Sequence, residues 1–157
     1  MIVRRFTVGG AAESGWRARG SPLYDDYRVH RQDRDGTIAE LEDGSVTTGE
    51  LVQRHFAGAS VVKAFNNIWF GHLGSLGRPS GAADRSALPI AGDDATARKT
   101  VTDFLDTIGY DTVDLGPLVE NRRTQRDTPV YVTPYGVYGE TGTPVDAASI
   151  RKFTAAV

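Results

Sequence analysis

The residues best suited to handling a ligand are an asparagine pair. Asn66-Asn67 closes the run Val61-Val62-Lys63-Ala64-Phe65, whose apolar and β-branched residues predict a buried strand. In open α/β sheets the ligand cleft lies outside the carboxyl ends of strands. A carboxamide side chain both donates and accepts, as recognition of another carboxamide requires. Asparagine is equally a preferred cap, so Asn67 could start the next helix and Asn66 form a turn. A second strand end, Gly92-Asp93-Asp94, could wall the same cleft or cap the helix that follows. Side chains of adjacent residues point apart, so no acid–base dyad is expected there.

Other candidates are more scattered. His72 follows the asparagines by about one helical turn and could face the cleft, or be an ordinary part-buried histidine. His30 and His55 stand apart, and no His or carboxylate group has metal-ligand spacing. Arg122, Arg123 and Arg126 could meet a phosphate or an acidic tail, or form a solvated face. Tyr131, Tyr135 and Tyr138 could line a partner surface, although packing of the tail on the core suits a tyrosine better. The sequence has no G-x-S-x-G elbow and no G-x-x-x-x-G-K-[ST] loop.

Several elements would have to position these groups. Ile2, Phe6 and Val8 are the apolar positions of a short strand, and the Gly-, Ser- and charge-rich stretch to Tyr27 reads as loop or disorder. Asp35-Gly36 and Asp43-Gly44 are turn signals, with a short hairpin or one helical turn between them. Thr47 and Glu50 form a capping-box pattern ahead of a helix whose apolar face is Leu51, Val52, His55 and Phe56. After the asparagines, residues 68–76 predict a short helix and residues 78–86 a loop. Residues 87–92 give a strand ending at Gly92, and Asp93 or Asp94 caps a helix with Val101, Phe104, Leu105 and Ile108 on one face. Gly109 sits at its C-cap, and a third strand centres on Val113 and Leu115. A long Pro- and Tyr-rich excursion follows, and Thr143-Pro144 opens a last helix around Ile150 and Phe153. Strands alternating with helices predict an α/β fold, a small parallel sheet of three or four strands with right-handed crossovers.

Bulk properties narrow the function. A formal net charge of −2 gives no steering toward nucleic acid or an anionic membrane. The absence of cysteine excludes disulfides, thiol nucleophiles and thiolate metal sites. No apolar run approaches the roughly 18–20 residues that span a bilayer, and the start MIVRRFTVGG is too short in apolar residues for a signal peptide. A cytoplasmic protein is the expectation.

The motifs VVKAFNNIWFGHL, LPIAGDD, a helix and IGYDTVDLGPL, in that order, resemble the second half of the coenzyme F420-dependent NADP oxidoreductase family. STEAP-type ferric reductases share that architecture in their cytoplasmic domains. The tail TPVYVTPYG with its closing helix is similar to bacterial dinucleotide-binding members. The resemblance runs from roughly Arg34 to Val157. It implies a partial Rossmann-like fold over residues 29–157, preceded by an unrelated leader over residues 1–28. It implies NADP(H) as cofactor, with hydride transfer to a deazaflavin F420-like acceptor. The segment Ala64-Phe65-Asn66-Asn67 would then lie against the nicotinamide, and no side chain need act as a catalytic acid or base.

The family opens with a strand, a G-x-G-x-x-G turn and a helix, and that spacing occurs nowhere in the 157 residues. Gly9-Gly10 with Gly15 lacks both the spacing and the strand-to-helix context, and Asp26-Tyr27-Arg28-Val29-His30 stands where the family has an apolar strand ending in Asn. Without that turn the pyrophosphate loses its helix N-terminus. The resemblance therefore implies a truncated unit, completed by a partner chain if it is active. The rival expectation is a non-catalytic remnant or interaction module, with the sheet edge beside Val61–Phe65 exposed for homo-oligomer or partner pairing. The leader strand could also fill that edge.

Overall fold

The computed structural model describes residues 2–4 and 38–157 of the chain. The Gly9-Gly10 and Gly15 run, Asp26–His30, the Asp35-Gly36 turn and the leader boundary at residues 28–29 lie outside the described residues. Phe6 and Val8 also do.

Local signals set most of the elements. Strand β1 is Ile2–Arg4 and the one-turn helix α1 is Ala39–Glu42. Helix α2, Thr48–His55, begins with the capping box: the Glu50 carboxylate accepts from Thr47 N at 2.8 Å and Glu50 N donates to Thr47 Oγ1 at 3.3 Å. Strand β2 is Ser60–Lys63 and helix α3 is Phe70–Ser75. All six residues of strand β3, Ala87–Gly92, are buried, so a continuous apolar run marks the central strand. Helix α4, Ala95–Thr107, starts at Asp94, whose carboxylate accepts from Ala97 N at 2.7 Å. Just past its end Gly109 has φ +92°, where a side chain would also strike the Arg78 backbone. Strand β4 is Asp111–Asp114, and helix α5 is Ala147–Thr154, capped by Asp146 rather than opened at Pro144. The long excursion contains two 3₁₀ helices, Leu118–Thr124 and Thr133–Tyr135, which have no apolar periodicity to announce them.

The fold is α/β, a partial Rossmann-like arrangement around a sheet of order β1-β2-β3-β4. Leu88, Ile90, Leu105, Tyr110, Tyr135 and Ile150 are among the fully buried core side chains. Strands β3 and β4 are parallel, joined through α4 as the alternation of strand and helix requires. The expectation of parallel pairing throughout is corrected at β2. It runs antiparallel to β3, with Val62 opposite Gly92 and Lys63 opposite Ala91. An apolar run reads the same in both directions, so composition could not fix its sense. β1 lies antiparallel on the other side of β2, with Val3 opposite Val61. Of the two expectations for the edge beside β2, open or filled by the leader strand, the second holds.

Candidate functional site

Strand direction decides what the asparagine pair can meet. Carried beyond β2, the antiparallel register sets Asn66 and Asn67 level with the first residues of β3. Gly92-Asp93 lies at the opposite end of that strand. The two expected walls of one cleft therefore stand at opposite ends of the sheet. The 3₁₀ helix Leu118–Thr124 bridges them. Leu118 N donates to Asp93 Oδ1 at 2.8 Å, and at the far end Asn66 Nδ2 donates to Thr124 O at 2.7 Å.

Asn67 is 1% exposed and caps nothing: helix α3 begins after Trp69 with no side-chain cap. Its Nδ2 donates to Tyr135 Oη at 3.0 Å, and that hydroxyl donates to Ala87 O at 2.7 Å. Burial, the largest influence, pushes the Tyr135 phenol well above its ordinary range, although the Asn67 bond opposes this. Asn67 Oδ1 has no partner among the described residues. Asn66 is half-buried and is the one of the pair that solvent reaches. Ala64 is buried and Phe65 half-buried, its ring edge-on to Phe104 at 6.4 Å.

Two residues here hold backbone conformations that side chains disfavour. Phe65 has φ +65°. Val132 has φ +61° and ψ −52°, with Thr133 N donating to Tyr131 O at 2.7 Å. That is a γ-turn of the rare, strained hand, and a β-branched residue is poorly suited to it. Val132 N donates to Asn67 O at 3.0 Å, so the strained turn is fastened to the asparagine pair. Strain of this kind persists only where surrounding structure enforces it, and it concentrates at functional positions.

The remaining candidates are engaged within the fold. Asp94 caps α4, and Arg98 reaches Asp114 Oδ2 at 2.9 Å and Gly92 O at 2.6 Å across the carboxyl ends of β3 and β4. His72 is 1% exposed. Its Nε2 is 3.1 Å from Glu140 O and its ring stands edge-on to Trp69, so it does not border an open cleft. His55 contacts Phe56, and His30 lies outside the described residues. Arg122 and Arg123 both pair with Glu120, whose carboxyl they hold below its usual range, Arg123 foremost. Arg123 also donates to Thr154 O and Val157 O, and Arg126 pairs with Asp127. This cluster ties the excursion to α5 and to itself rather than presenting a phosphate site. Of the three tyrosines, Tyr135 packs in the core, Tyr131 is half-buried and Tyr138 is 69% exposed. Among the described residues no group of three His, Cys, Asp or Glu could hold a metal, and no helix is long and apolar enough to cross a membrane. A shallow, open depression of about 510 Å³ lies between Leu73, Arg78 and Gly109, away from the asparagines. Arg78 there is already paired with Asp84 at 2.8 Å.

The clamping roles of Asn67 and Tyr135 were missed by sequence reasoning. The signal available was weak: two amide side chains after a strand, and an excursion rich in tyrosine.

No family model matches the chain, and no curated protein does. Among solved structures it is similar to a provisionally assigned F420-dependent NADP reductase from Arthrobacter sp. FB24. That likeness is 32% identity over 50% of this chain and 34% of that one, with a TM-score of 0.42. It is similar also to a hypothetical protein from Sinorhizobium meliloti, at 28% identity over 56% of this chain and 42% of that one, with a TM-score of 0.46. The chain spans less than half the length of either structure.

Proposed function

We propose that this chain carries the nicotinamide-facing half of an NADP(H)-dependent hydride-transfer unit, with a deazaflavin F420-like acceptor. Ala64, Phe65, Asn66 and Asn67 form the segment that meets the cofactor. The observation that carries the reading is this segment's geometry: Phe65 strained at the carboxyl end of β2, beside an asparagine pair anchored to a second strained turn at Val132.

The residues fit one end of the cofactor and not the other. Asn67 Oδ1 is an unpaired acceptor of the kind an amide N–H₂ would satisfy, but it is closed from solvent. Asn66 and Phe65, both half-buried, are what a carboxamide could reach. For the pyrophosphate, the G-x-G-x-x-G spacing does not occur, and Arg122, Arg123 and Arg126 are each paired with a carboxylate. The phosphate-binding half would come from outside the described residues. NADP(H) itself would supply the hydride. The part played by this chain is to hold the ring end in place.

Calorimetric titration tests the reading. Reduced nicotinamide mononucleotide and NADPH should bind with constants within about tenfold of each other, because most of NADPH's phosphate contacts lack a source. ADP-ribose should not bind, and Asn66→Ala should abolish the signal. Heat from ADP-ribose but not from the mononucleotide, or none from any of the three, would sink it.

A further inference from the structure

An asparagine side chain can turn either its oxygen or its nitrogen toward a ligand, so what Asn66 recognises depends on which way its amide lies. One hydrogen bond decides this. Asn66 Nδ2 donates to Thr124 O at 2.7 Å, and a carbonyl can only accept, so the opposite orientation would set two oxygens against each other. No group among the described residues donates to Asn66 Oδ1. Unlike Asn67 Oδ1, it is not sealed from solvent. The side chain therefore keeps a whole acceptor for a ligand, and only one of its two N–H groups.

The carbonyl that sets this orientation is held by a buried frame. Thr124 is 4% exposed, and its Oγ1 donates to Asn121 O at 2.9 Å. Asn121 is fully buried. Its Nδ2 donates to Leu118 O at 2.7 Å and to Thr47 Oγ1 at 2.9 Å, which ties the 3₁₀ helix to the cap of α2. The contact is close, since a Cβ at Gly49 in the first turn of α2 would lie 2.4 Å from Asn121 Nδ2. The backbone of Asn66 is fixed as well. It runs between Phe65, at φ +65°, and Asn67, whose carbonyl accepts from Val132 N at 3.0 Å. Donor and acceptor are thus both held in place, as selective recognition requires.

Countercharge is missing from the same place. Residues 64–77 contain no Asp, Glu, Lys or Arg. Arg123 and Arg126, which flank Thr124, are paired with Glu120 and Asp127. Resting on the assignment of this segment to the nicotinamide ring, we infer that Asn66 makes the site selective for a ring substituent that donates a hydrogen bond. A primary amide offers a donor to Oδ1 and an acceptor to the remaining Nδ2–H. A thioamide keeps the donor. A methyl ketone leaves Oδ1 unmatched, and a carboxylate sets one of its oxygens against Oδ1 with no cation to offset the charge. Asn121 is a positioning residue for this selectivity.

Calorimetry of the full chain with four reduced mononucleotides, differing only in the ring substituent, tests it. The carboxamide and the thioamide should bind within about threefold of each other. The methyl ketone should bind about tenfold more weakly and the carboxylate more weakly still. The factor is moderate because Asn66 is half-buried and water satisfies part of what the ketone leaves open. Asn121→Ala loosens the frame without touching the ligand, and also removes the orphan Asn121 Oδ1. In that variant the preference for amide over ketone should fall toward one. A smaller folded fraction would weaken both ligands equally and leave the ratio unmoved, so the ratio separates positioning from stability. Equal binding of carboxamide and ketone by the wild type would overturn the selectivity and leave the nicotinamide assignment standing. Binding of none of the four would overturn both. A wild-type ratio in Asn121→Ala would overturn the role of the frame.

Discussion

Asn67 and Tyr135 are joined in a relay that ends on the backbone of the central strand. Tyr135 Oη accepts from Asn67 and donates to Ala87 O, with both side chains fully buried. Removing the hydroxyl strands a buried amide donor and a buried carbonyl together, whereas removing the amide strands one lone pair and also eliminates the orphan Asn67 Oδ1. Tyr135→Phe should therefore cost about 2–4 kcal/mol and Asn67→Ala less, although alanine removes more atoms. Urea unfolding measures both, and an Asn67→Ala loss larger than that of Tyr135→Phe would contradict the relay. The asparagine pair itself was legible in the sequence as a strand-end feature. Its partners were not, because Thr124, Val132 and Tyr135 lie more than fifty residues away and carry no periodic pattern that would aim them back.

At the scale of elements, what could be read was whatever local chemistry enforces. The Thr47–Glu50 box, the Asp94 cap, the Gly109 C-cap and the apolar run of β3 each act within a few residues, and each stands where expected. Spacing puts Phe104 and Ile108 on the buried face of α4, yet they are 47% and 37% exposed, because spacing gives a helical stripe without the width of what covers it. The sense of β2 was beyond reach for a similar reason. Arg85 was also overlooked, since an isolated arginine in a loop carries no signal. Its side chain is 4% exposed, donates to Asp106 Oδ1 at 2.7 Å and to the carbonyls of Asp106 and Tyr110, and lies 3.0 Å from Asp111 Oδ1. The Asp111 contact is by charge rather than an aligned hydrogen bond, because Nε has no hydrogen-bond partner. One planar cation thus ties the end of α4 to the starts of β3 and β4. Arg85→Met should cost about 1–3 kcal/mol, since the Asp106 and Asp111 carboxylates it leaves are exposed and the loss is of hydrogen bonds to the carbonyls, and Arg85→Lys less but not nothing, because an ammonium cannot span the same acceptors. A lysine variant with the wild-type urea midpoint would show that the fork geometry is irrelevant.

For the whole molecule, two buried phenols that donate only while protonated are among the ties of the excursion and α3. Tyr135 Oη grips Ala87 O, and Tyr110 Oη donates to Leu73 O at 2.8 Å. Burial pushes the Tyr110 phenol up to about 12 from 10.0 and drives Tyr135 higher still. In the unfolded chain both phenols titrate near 10. Below that pH neither state ionises, so the full stabilisation is present. As pH rises past 10 the unfolded chain releases protons that the folded chain retains, and stability falls until the folded phenols ionise as well. The predicted profile is level at neutral pH and declines above about pH 10, by about 1.4 kcal/mol per unit for each tyrosine. Tyr110 alone would account for roughly 2–3 kcal/mol by pH 12. Urea midpoints across pH 8–12 measure this, and Tyr110→Phe should flatten the alkaline limb while lowering the neutral plateau. A limb of unchanged steepness in that variant would show that the Tyr110 phenol is not a source of the alkaline sensitivity.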